Sequence, residues 1–155
     1  MSKLSGRIIA ETPVGLLEIL SEGNFLTAIR KCQFPPENRD LSGSPVTKET
    51  EKQLREYFSG QRTVFDLPMA PQGTDFRRAV WNALMEIPYG ETRSYSDIAA
   101  AVGKPSAQRA AGNAIGDNPI LIVIPCHRII RSDGGMGGFS AGIGMKEFLL
   151  RLEGH

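Results

Sequence analysis

The chain has 155 residues, of which 41% are hydrophobic and 23% are charged, so it can form a core and is not a disordered polyelectrolyte. Its 18 Lys and Arg residues against 17 Asp and Glu residues give a net charge of +1, which excludes a polybasic, histone-like binder but leaves local basic patches open. Two cysteines cannot form a multi-bridge disulfide framework, and this favours a reducing compartment.

The first half of the chain, residues 1–70, predicts a small mixed α/β domain. Three short apolar runs bounded by turn residues are typical of β-strands: Arg7–Glu11, Leu16–Ser21 and Phe25–Arg30. The polar, proline-rich stretch Lys31–Pro45 predicts a loop, and the apolar spacing over Val46–Phe58 predicts a helix. Cys32 is interpreted as a structural or merely exposed thiol, so nothing in this half points to chemistry.

The second half, residues 71–155, predicts a mostly helical domain after a proline- and glycine-containing linker at 66–73. Apolar residues at helical spacing indicate four helices, which are expected to begin at Thr74 or Asp75, at Ser94, at Ser106 and after Gly144. The last helix is expected to turn its apolar residues inward: Met145, Phe148, Leu149 and Leu152. The apolar run Ile120–Ile124 predicts a buried strand or extended segment, and it is far too short to cross a membrane.

The second and third of these helices are joined by the short turn Gly103–Pro105, which is typical of a helix-turn-helix. The third helix is rich in Ala and Gly, so its backbone can closely approach either a neighbouring helix of the core or a nucleic acid. Gln108 and Arg109 favour nucleic acid, because recognition helices contact DNA with their N-terminal residues.

Cys126 follows an apolar segment and a proline, and the adjacent His127 and Arg128 supply basic groups that can lower its pKa. Neighbours in sequence point in different directions, so adjacency alone does not join the thiol to the imidazole, and a buried structural cysteine stays an alternative. A Cys–His pair also needs a group that orients the histidine. The candidate acids are Asp133, Glu147 and Glu153.

The glycine-rich stretch Gly134–Gly142 lacks the Gly-Lys-Ser/Thr ending of a phosphate-binding loop. It is interpreted as a flexible wall of an active site, because glycines allow close backbone approach. The N-terminal residues contain no apolar run of the kind found in signal peptides, and the two histidines show no metal-ligand spacing. We therefore expect no metal and no membrane partner.

Residues 73–155 resemble the O6-alkylguanine-DNA alkyltransferases, also called methylated-DNA–protein-cysteine methyltransferases. The resemblance rests on Pro125-Cys-His-Arg128 together with the order and spacing of these segments: Gly73–Phe76, Val80–Trp81, Ile87–Gly90, Ser94–Tyr95, Gly103–Pro105, Arg109–Ala110, Asn118–Pro119, Gly138–Ser140, Lys146–Glu147, Leu149–Leu150 and Glu153–His155. It implies an α+β fold, with a small RNase H-like N-terminal domain and a helical C-terminal domain that carries a winged-helix-like helix-turn-helix and the active-site cysteine.

The resemblance also implies an activity: a methylated-DNA–[protein]-cysteine S-methyltransferase that acts once. The alkyl group of O6-alkylguanine, in a base flipped out of double-stranded DNA, would be transferred irreversibly to the protein, with O4-alkylthymine left open as a second substrate. The implied catalytic residues are Cys126 as acceptor thiol, His127 as a base through a water, Glu153 orienting His127, Asn118 bracing the turn and Tyr95 donating toward guanine N3. The implied substrate contacts are Ser140, Ile129, Ala141 and Trp81.

The implied DNA contacts lie on the third helix and its N-terminal turn: Arg109, which would fill the gap left by the flipped base, with Gln108, Ser106, Ala110 and Gly112. No cofactor is implied, and we expect a cytoplasmic monomer. Asn113 and Ala141 depart from the pattern, since many family members have Gly there, and the added methyl of Ala141 would narrow the pocket. The chain also lacks the residues of the structural zinc site found in vertebrate-type members.

Two other functions stay open. A non-enzymatic lesion binder or helix-turn-helix adapter is favoured by Arg109 and the small-residue helix. A Cys–His hydrolase would turn over an ester or amide, but no oxyanion-hole motif is visible. Alkylation of Cys126 separates the transferase from the lesion binder, and repeated turnover would identify the hydrolase.

Overall fold

The computed structural model describes residues 4–32 and 42–155, and the chain divides into two compact units, Met1–Gln72 and Gly73–His155. Within the described ranges, the first unit contains a three-stranded sheet and one helix, and the second contains four α-helices and a two-stranded sheet. The predicted α+β class is therefore confirmed. The assignment of residues 1–70 and 71–155 to two independent domains stays a prediction. No helix in these ranges combines the length and the apolar character needed to span a bilayer.

The sheet of the first unit is antiparallel, with its strands in chain order: β1 (Leu4–Thr12), β2 (Gly15–Glu22) and β3 (Phe25–Cys32). The central strand buries Leu17 and Ile19 completely, as alternation along a strand requires for residues on one face. The intervening Glu18 is also buried, and its carboxylate accepts hydrogen bonds from Arg7 and Arg30. The three predicted strands are confirmed.

Helix α1 (Pro45–Phe58) begins where its sequence provides a start signal. The Ser44 hydroxyl accepts from the Thr47 backbone N–H, and the Thr47 hydroxyl accepts from the Ser44 N–H, which forms a capping box ahead of Pro45. The predicted loop Lys31–Pro45 is thus too long at both ends. Lys31 and Cys32 belong to β3 and Pro45 belongs to α1, while residues 33–41 lie outside the described residues.

The second unit contains the four predicted helices in the predicted order, together with two short strands. In chain order the elements are α2 (Asp75–Met85), β4 (Arg93–Ser94), α3 (Tyr95–Ala101), α4 (Gln108–Gly116), β5 (Ile129–Ile130) and α5 (Ile143–Leu152). Thr74 caps α2, and Ser94 with Asp97 forms the predicted capping box of α3. The two-residue strands β4 and β5 pair in parallel, and segments this short leave no periodicity from which they could be predicted.

Three sequence predictions about the second unit are wrong. Ser106 does not cap α4, whose N-cap position is Ala107 with no side-chain cap bond. The run Ile120–Ile124 is buried but forms turns, so its apolar character reports burial and not strand conformation. Phe148 is 38% exposed, because the inward face of α5 contains Met145, Lys146, Leu149 and Leu150 instead.

Candidate active site

Two tight turns place Cys126. The Leu121 carbonyl accepts from the Val123 N–H at 2.8 Å around Ile122, which has a φ of +72°. The Ile124 carbonyl accepts from the Cys126 N–H at 2.8 Å around Pro125, at φ −83° and ψ 62°. Both are γ-turns, and the first is the strained form, which costs about 1–3 kcal/mol for a β-branched residue. The surroundings must therefore hold this backbone in place.

Asn118 supplies that support through its whole amide group. Its Oδ1 accepts from the Ile120 N–H at 2.9 Å, and its Nδ2 donates to the Ile124 carbonyl at 2.8 Å. The same Nδ2 also donates to Cys126 Sγ at 3.1 Å. Because the backbone bonds fix the orientation of the amide, its N–H group faces the sulfur. Asn118 therefore contacts both sides of the turn before Cys126, and its bracing role stays a prediction.

A single 3₁₀ turn, Cys126–Arg128, brings the next two side chains to the end of α5. His127 is fully buried, and its Nε2 lies 2.7 Å from Glu153 Oε2. Arg128 donates through Nε to Glu153 Oε1 at 2.7 Å and through Nη2 to Oε2 at 3.1 Å. One buried carboxylate therefore binds both residues that follow Cys126.

The protonation states of the thiol and the imidazole follow from their burial. Burial raises the pKa of the Cys126 thiol to about 11, although Asn118 and the charge of Lys146 both lower it. Burial likewise lowers the pKa of His127 below its usual range, although Glu153 acts to raise it. At neutral pH the resting pair is a thiol and a neutral imidazole, so a thiolate forms only when a base removes the proton.

Lys146 connects the glycine-rich loop to β5 through hydrogen bonds. Its side chain is fully buried, and Nζ donates to the carbonyls of Ile129 at 2.5 Å, Met136 at 2.6 Å and Gly138 at 3.3 Å. Three acceptors match the three donors of an ammonium group. The loop is therefore held at defined points, and is not simply the flexible wall that its glycine content predicts.

A cavity of about 350 Å³ lies beside the thiol, within the size range of small-molecule sites. Its lining comes from α3, α4, the 3₁₀ turn and the glycine-rich loop: Tyr95, Gly112, Ile115, Gly116, Cys126, Gly138, Phe139 and Ser140. The Tyr95 ring packs against two glycines, since a Cβ at Gly112 would lie 3.7 Å from it and a Cβ at Gly137 would lie 2.9 Å from its hydroxyl. Small residues thus determine where Tyr95 sits.

Helix α4 is at once a wall of this cavity and an exposed surface. Its residues Ala111, Ala114 and Ile115 are buried, while Gln108, Arg109 and Ala110 are exposed. Arg109 forms no ion pair with another residue in the described ranges. A partner that binds to the exposed face of α4 would therefore meet a small-residue surface and the exposed Arg109, on the same helix that lines the cavity.

The structure brings most of the predicted catalytic residues together. Cys126, Tyr95, Ser140 and Gly112 line the cavity. Asn118 donates to Cys126 Sγ, and His127, the residue after the cysteine, is hydrogen-bonded to Glu153. Ser106 is exposed in the turn before α4.

Three predicted substrate contacts are not in the lining of the cavity. Ile129 and Ala141 are next to lining elements but are not in the lining, and Trp81 is buried with its Nε1 donating to the Ala114 carbonyl at 2.8 Å. The predicted roles of all these residues stay predictions. In the described ranges no three His, Cys, Asp or Glu side chains form a group that could hold a metal ion.

Two residues of the site received no such role from the sequence. The first is Lys146, which shares one face of α5 with Leu149 and Leu150, while Glu153 follows directly after the helix, seven residues from Lys146. An ionisable residue on an otherwise apolar face is the signal that could have identified Lys146. Arg128 was interpreted as a cation beside Cys126, but its side chain is directed to Glu153 and to the Ile87 carbonyl, and no sequence pattern reveals that.

Comparisons with known proteins match both units of the chain. Two family models cover them: 6-O-methylguanine DNA methyltransferase, ribonuclease-like domain, at residues 7–71, and the DNA binding domain of the same description at residues 75–155. A methylated-DNA–protein-cysteine methyltransferase of Methanosarcina barkeri is 47% identical over 153 residues, which cover 94% of each chain.

Solved structures agree with these matches. The O6-methylguanine methyltransferase of Mycobacterium tuberculosis is similar with a TM-score of 0.85 and 41% identity, over 96% of this chain and 92% of that one. The M. tuberculosis OGT in complex with DNA is similar with a TM-score of 0.84 and 42% identity, over 94% of this chain and 90% of that one.

Proposed function

Since the chain belongs to the 6-O-methylguanine DNA methyltransferase family, we propose that it repairs DNA by moving the alkyl group of O6-alkylguanine onto its own Cys126. The observation that carries the proposal is the Cys126 thiol in the lining of a cavity walled by an exposed, small-residue helix. The Asn118 amide bonded to Sγ and the buried His127–Glu153 pair support a thiol that reacts.

The reaction balances without a cofactor. The Cys126 thiol gives its proton to His127, through a water in the mechanism that the family resemblance implies, and the thiolate attacks the alkyl carbon. An S–C bond forms, the C–O6 bond breaks, and its electron pair returns to the guanine ring, which takes up one proton. The product thioether has no leaving group that a nearby side chain could displace, so each protein molecule reacts once.

Three groups are proposed to hold the guanine. The Tyr95 hydroxyl donates toward N3 and makes the departing base a better leaving group, and Ser140 lies against O6. The Ile129 carbonyl accepts from the exocyclic amino group. It already accepts from Lys146, but a carbonyl oxygen has two lone pairs and can serve both donors.

Double-stranded DNA is the proposed partner, with α4 entering the minor groove. A base inside a duplex cannot reach a buried thiol, so it must be flipped out. The exposed small residues of α4 allow the close approach that minor-groove binding requires, and Arg109 is placed to fill the vacated position. A relative of similar structure binds DNA, which supports this proposal. The proposal includes a cytoplasmic location and a monomeric protein.

Analysis of nucleosides tests the proposed function. A duplex with a single O6-methylguanine is incubated with increasing protein, digested and separated. We expect O6-methylguanine to be replaced by guanine in equal amount, with a plateau at one lesion per protein molecule. Release of a free modified base, or conversion of many lesions by each protein molecule, would contradict a stoichiometric transfer.

Replacing Gly137 by alanine is expected to slow single-turnover methyl transfer about tenfold. Gly137 has a φ of +73°, and its added Cβ would lie 2.9 Å from the Tyr95 hydroxyl, so either the loop or the tyrosine must move. The matched control is Gly144→Ala on α5, where a Cβ meets nothing within 4 Å. Equal rates for the two variants would show that the contact between Gly137 and Tyr95 has no role in transfer.

A further inference from the structure

Arg128 is a buried cation whose donors are committed to two acceptor groups. The residue is 7% exposed, and its side chain donates through Nε and Nη2 to the two oxygens of Glu153 and through Nη1 to the Ile87 carbonyl at 2.7 Å. The guanidinium also lies over the Tyr89 ring, with 5.8 Å between Cζ and the ring centroid. Arg128 therefore binds both oxygens of the Glu153 carboxylate.

The guanidinium determines what Glu153 can do for His127. A carboxyl group that accepts from Arg128 at both oxygens is an ionised carboxylate, which has no hydrogen to donate. The 2.7 Å contact between Glu153 Oε2 and His127 Nε2 therefore requires a hydrogen on Nε2. Because the imidazole is neutral, its Nδ1 then carries a lone pair and no hydrogen.

The other ring nitrogen is consistent with that state. His127 Nδ1 is fully buried, and no group in the described part of the chain forms a hydrogen bond with it. An Nδ1–H in this position would be a donor without a partner, whereas a lone pair is what a proton acceptor for a neighbouring thiol needs.

We propose that Arg128 is a positioning residue which, by keeping Glu153 ionised, fixes the tautomer of His127 with hydrogen on Nε2 and leaves Nδ1 as the base for Cys126. The inference rests on the proposed function and assigns a source to the basicity that this function needs. Without the guanidinium, the buried carboxyl group of Glu153 takes up a proton from solvent, keeps it, and donates a hydrogen bond to Nε2. The ring hydrogen of neutral His127 then lies on Nδ1, where it blocks proton acceptance.

The experiment combines nitrogen NMR of the full chain with single-turnover kinetics. Long-range couplings between the ring nitrogens and ring hydrogens identify which nitrogen of His127 carries hydrogen. The variants are Arg128→Met, Arg128→Lys and, as a matched control, Arg151→Met, which changes an exposed arginine in the last turn of α5, two residues before Glu153.

We expect hydrogen on Nε2 in the wild type and on Nδ1 in Arg128→Met, with methyl transfer slowed about 100-fold or more. In serine proteases, loss of the group that fixes the histidine tautomer slows catalysis about 10⁴-fold. Arg128→Lys retains a cation beside Glu153, so it is expected to keep the Nε2 hydrogen and to recover about tenfold of the lost rate. Arg151→Met should behave as the wild type.

Two results would overturn the inference. One is a wild-type His127 with hydrogen on Nδ1, which needs no variant to be observed. The other is an Arg128→Met protein that transfers slowly but keeps the Nε2 tautomer, since that pattern means a structural role only. If the wild type does not methylate Cys126 at all, the proposed function fails, whereas the tautomer is measured on the protein alone and is judged separately.

Discussion

Replacing Cys126 by alanine is expected to abolish methyl transfer while the affinity for a lesion-containing duplex stays within about threefold of the wild type. The thiol is the only group proposed to form a bond with the alkyl carbon, and Cys126 is 3% exposed in the lining of the cavity. The surface proposed to bind DNA is carried by α4, whose exposed residues do not depend on the sulfur. Single-turnover transfer and equilibrium binding, measured on the same duplex, test both parts.

A serine variant and a thermal unfolding curve serve as controls for this experiment. In Cys126→Ser the hydroxyl can still accept a hydrogen bond from the Asn118 amide, which donates to Cys126 Sγ at 3.1 Å. This variant therefore removes the sulfur nucleophile without removing that contact. If both variants lose DNA binding together with transfer, the cysteine holds the fold and the interpretation as an acceptor is wrong. If they bind and a partner protein is recruited in the wild type without alkylation, the lesion-binder alternative is correct.

Replacing Arg109 by alanine is expected to slow transfer from duplex DNA about 100-fold, with little change in the reaction of a free O6-alkylguanine base. Flipping a base costs a few kcal/mol, and each 1.36 kcal/mol of barrier changes a rate about tenfold. A guanidinium that fills the vacated position offsets part of this cost only when there is a stack to fill. The rates with both substrates, for Arg109→Ala and for the exposed-surface control Arg151→Ala, test the difference.

The ratio of the two rates is the informative quantity in that comparison. A variant that is partly unfolded loses activity on both substrates equally, whereas loss of the proposed finger affects the duplex alone. Equal losses on duplex and free base would therefore contradict the role of Arg109 in base flipping, and the exposed position of its side chain on α4 would need another explanation.

Local patterns in the sequence predicted the elements that local physics determines. The capping box at Ser94 and Asp97 and the cap at Thr74 fix helix starts through contacts within three residues, and both are present in the structure. Short apolar runs bounded by turn residues likewise predicted the three strands of the first unit. The conformation of Ile120–Ile124 was not predicted correctly, because five buried apolar residues look alike whether they form a strand or contain a γ-turn such as the one at Ile122.

The site itself combines residues that no local pattern connects. His127 and Glu153 are 26 positions apart, and Arg128 contacts a carbonyl 41 positions before it, at Ile87. The residues alone indicated Cys126 and His127 and left three candidate acids, and the family resemblance then selected Glu153. The family is confirmed, while the individual roles of these residues stay predictions. The hydrogen bonds of Lys146 to the Ile129 carbonyl and of Arg128 to the Glu153 carboxylate join residues far apart in the sequence, so only the tertiary structure reveals them.

Alkyl transfer to Cys126 is tested by the intact mass of the protein after incubation with a duplex that contains one O6-methylguanine, followed by peptide mapping. We expect a gain of one methyl group, located on the peptide that contains Cys126, and no further gain with excess duplex. An unchanged mass with retained binding of the lesion, or a methyl group located on Cys32, would contradict transfer to Cys126.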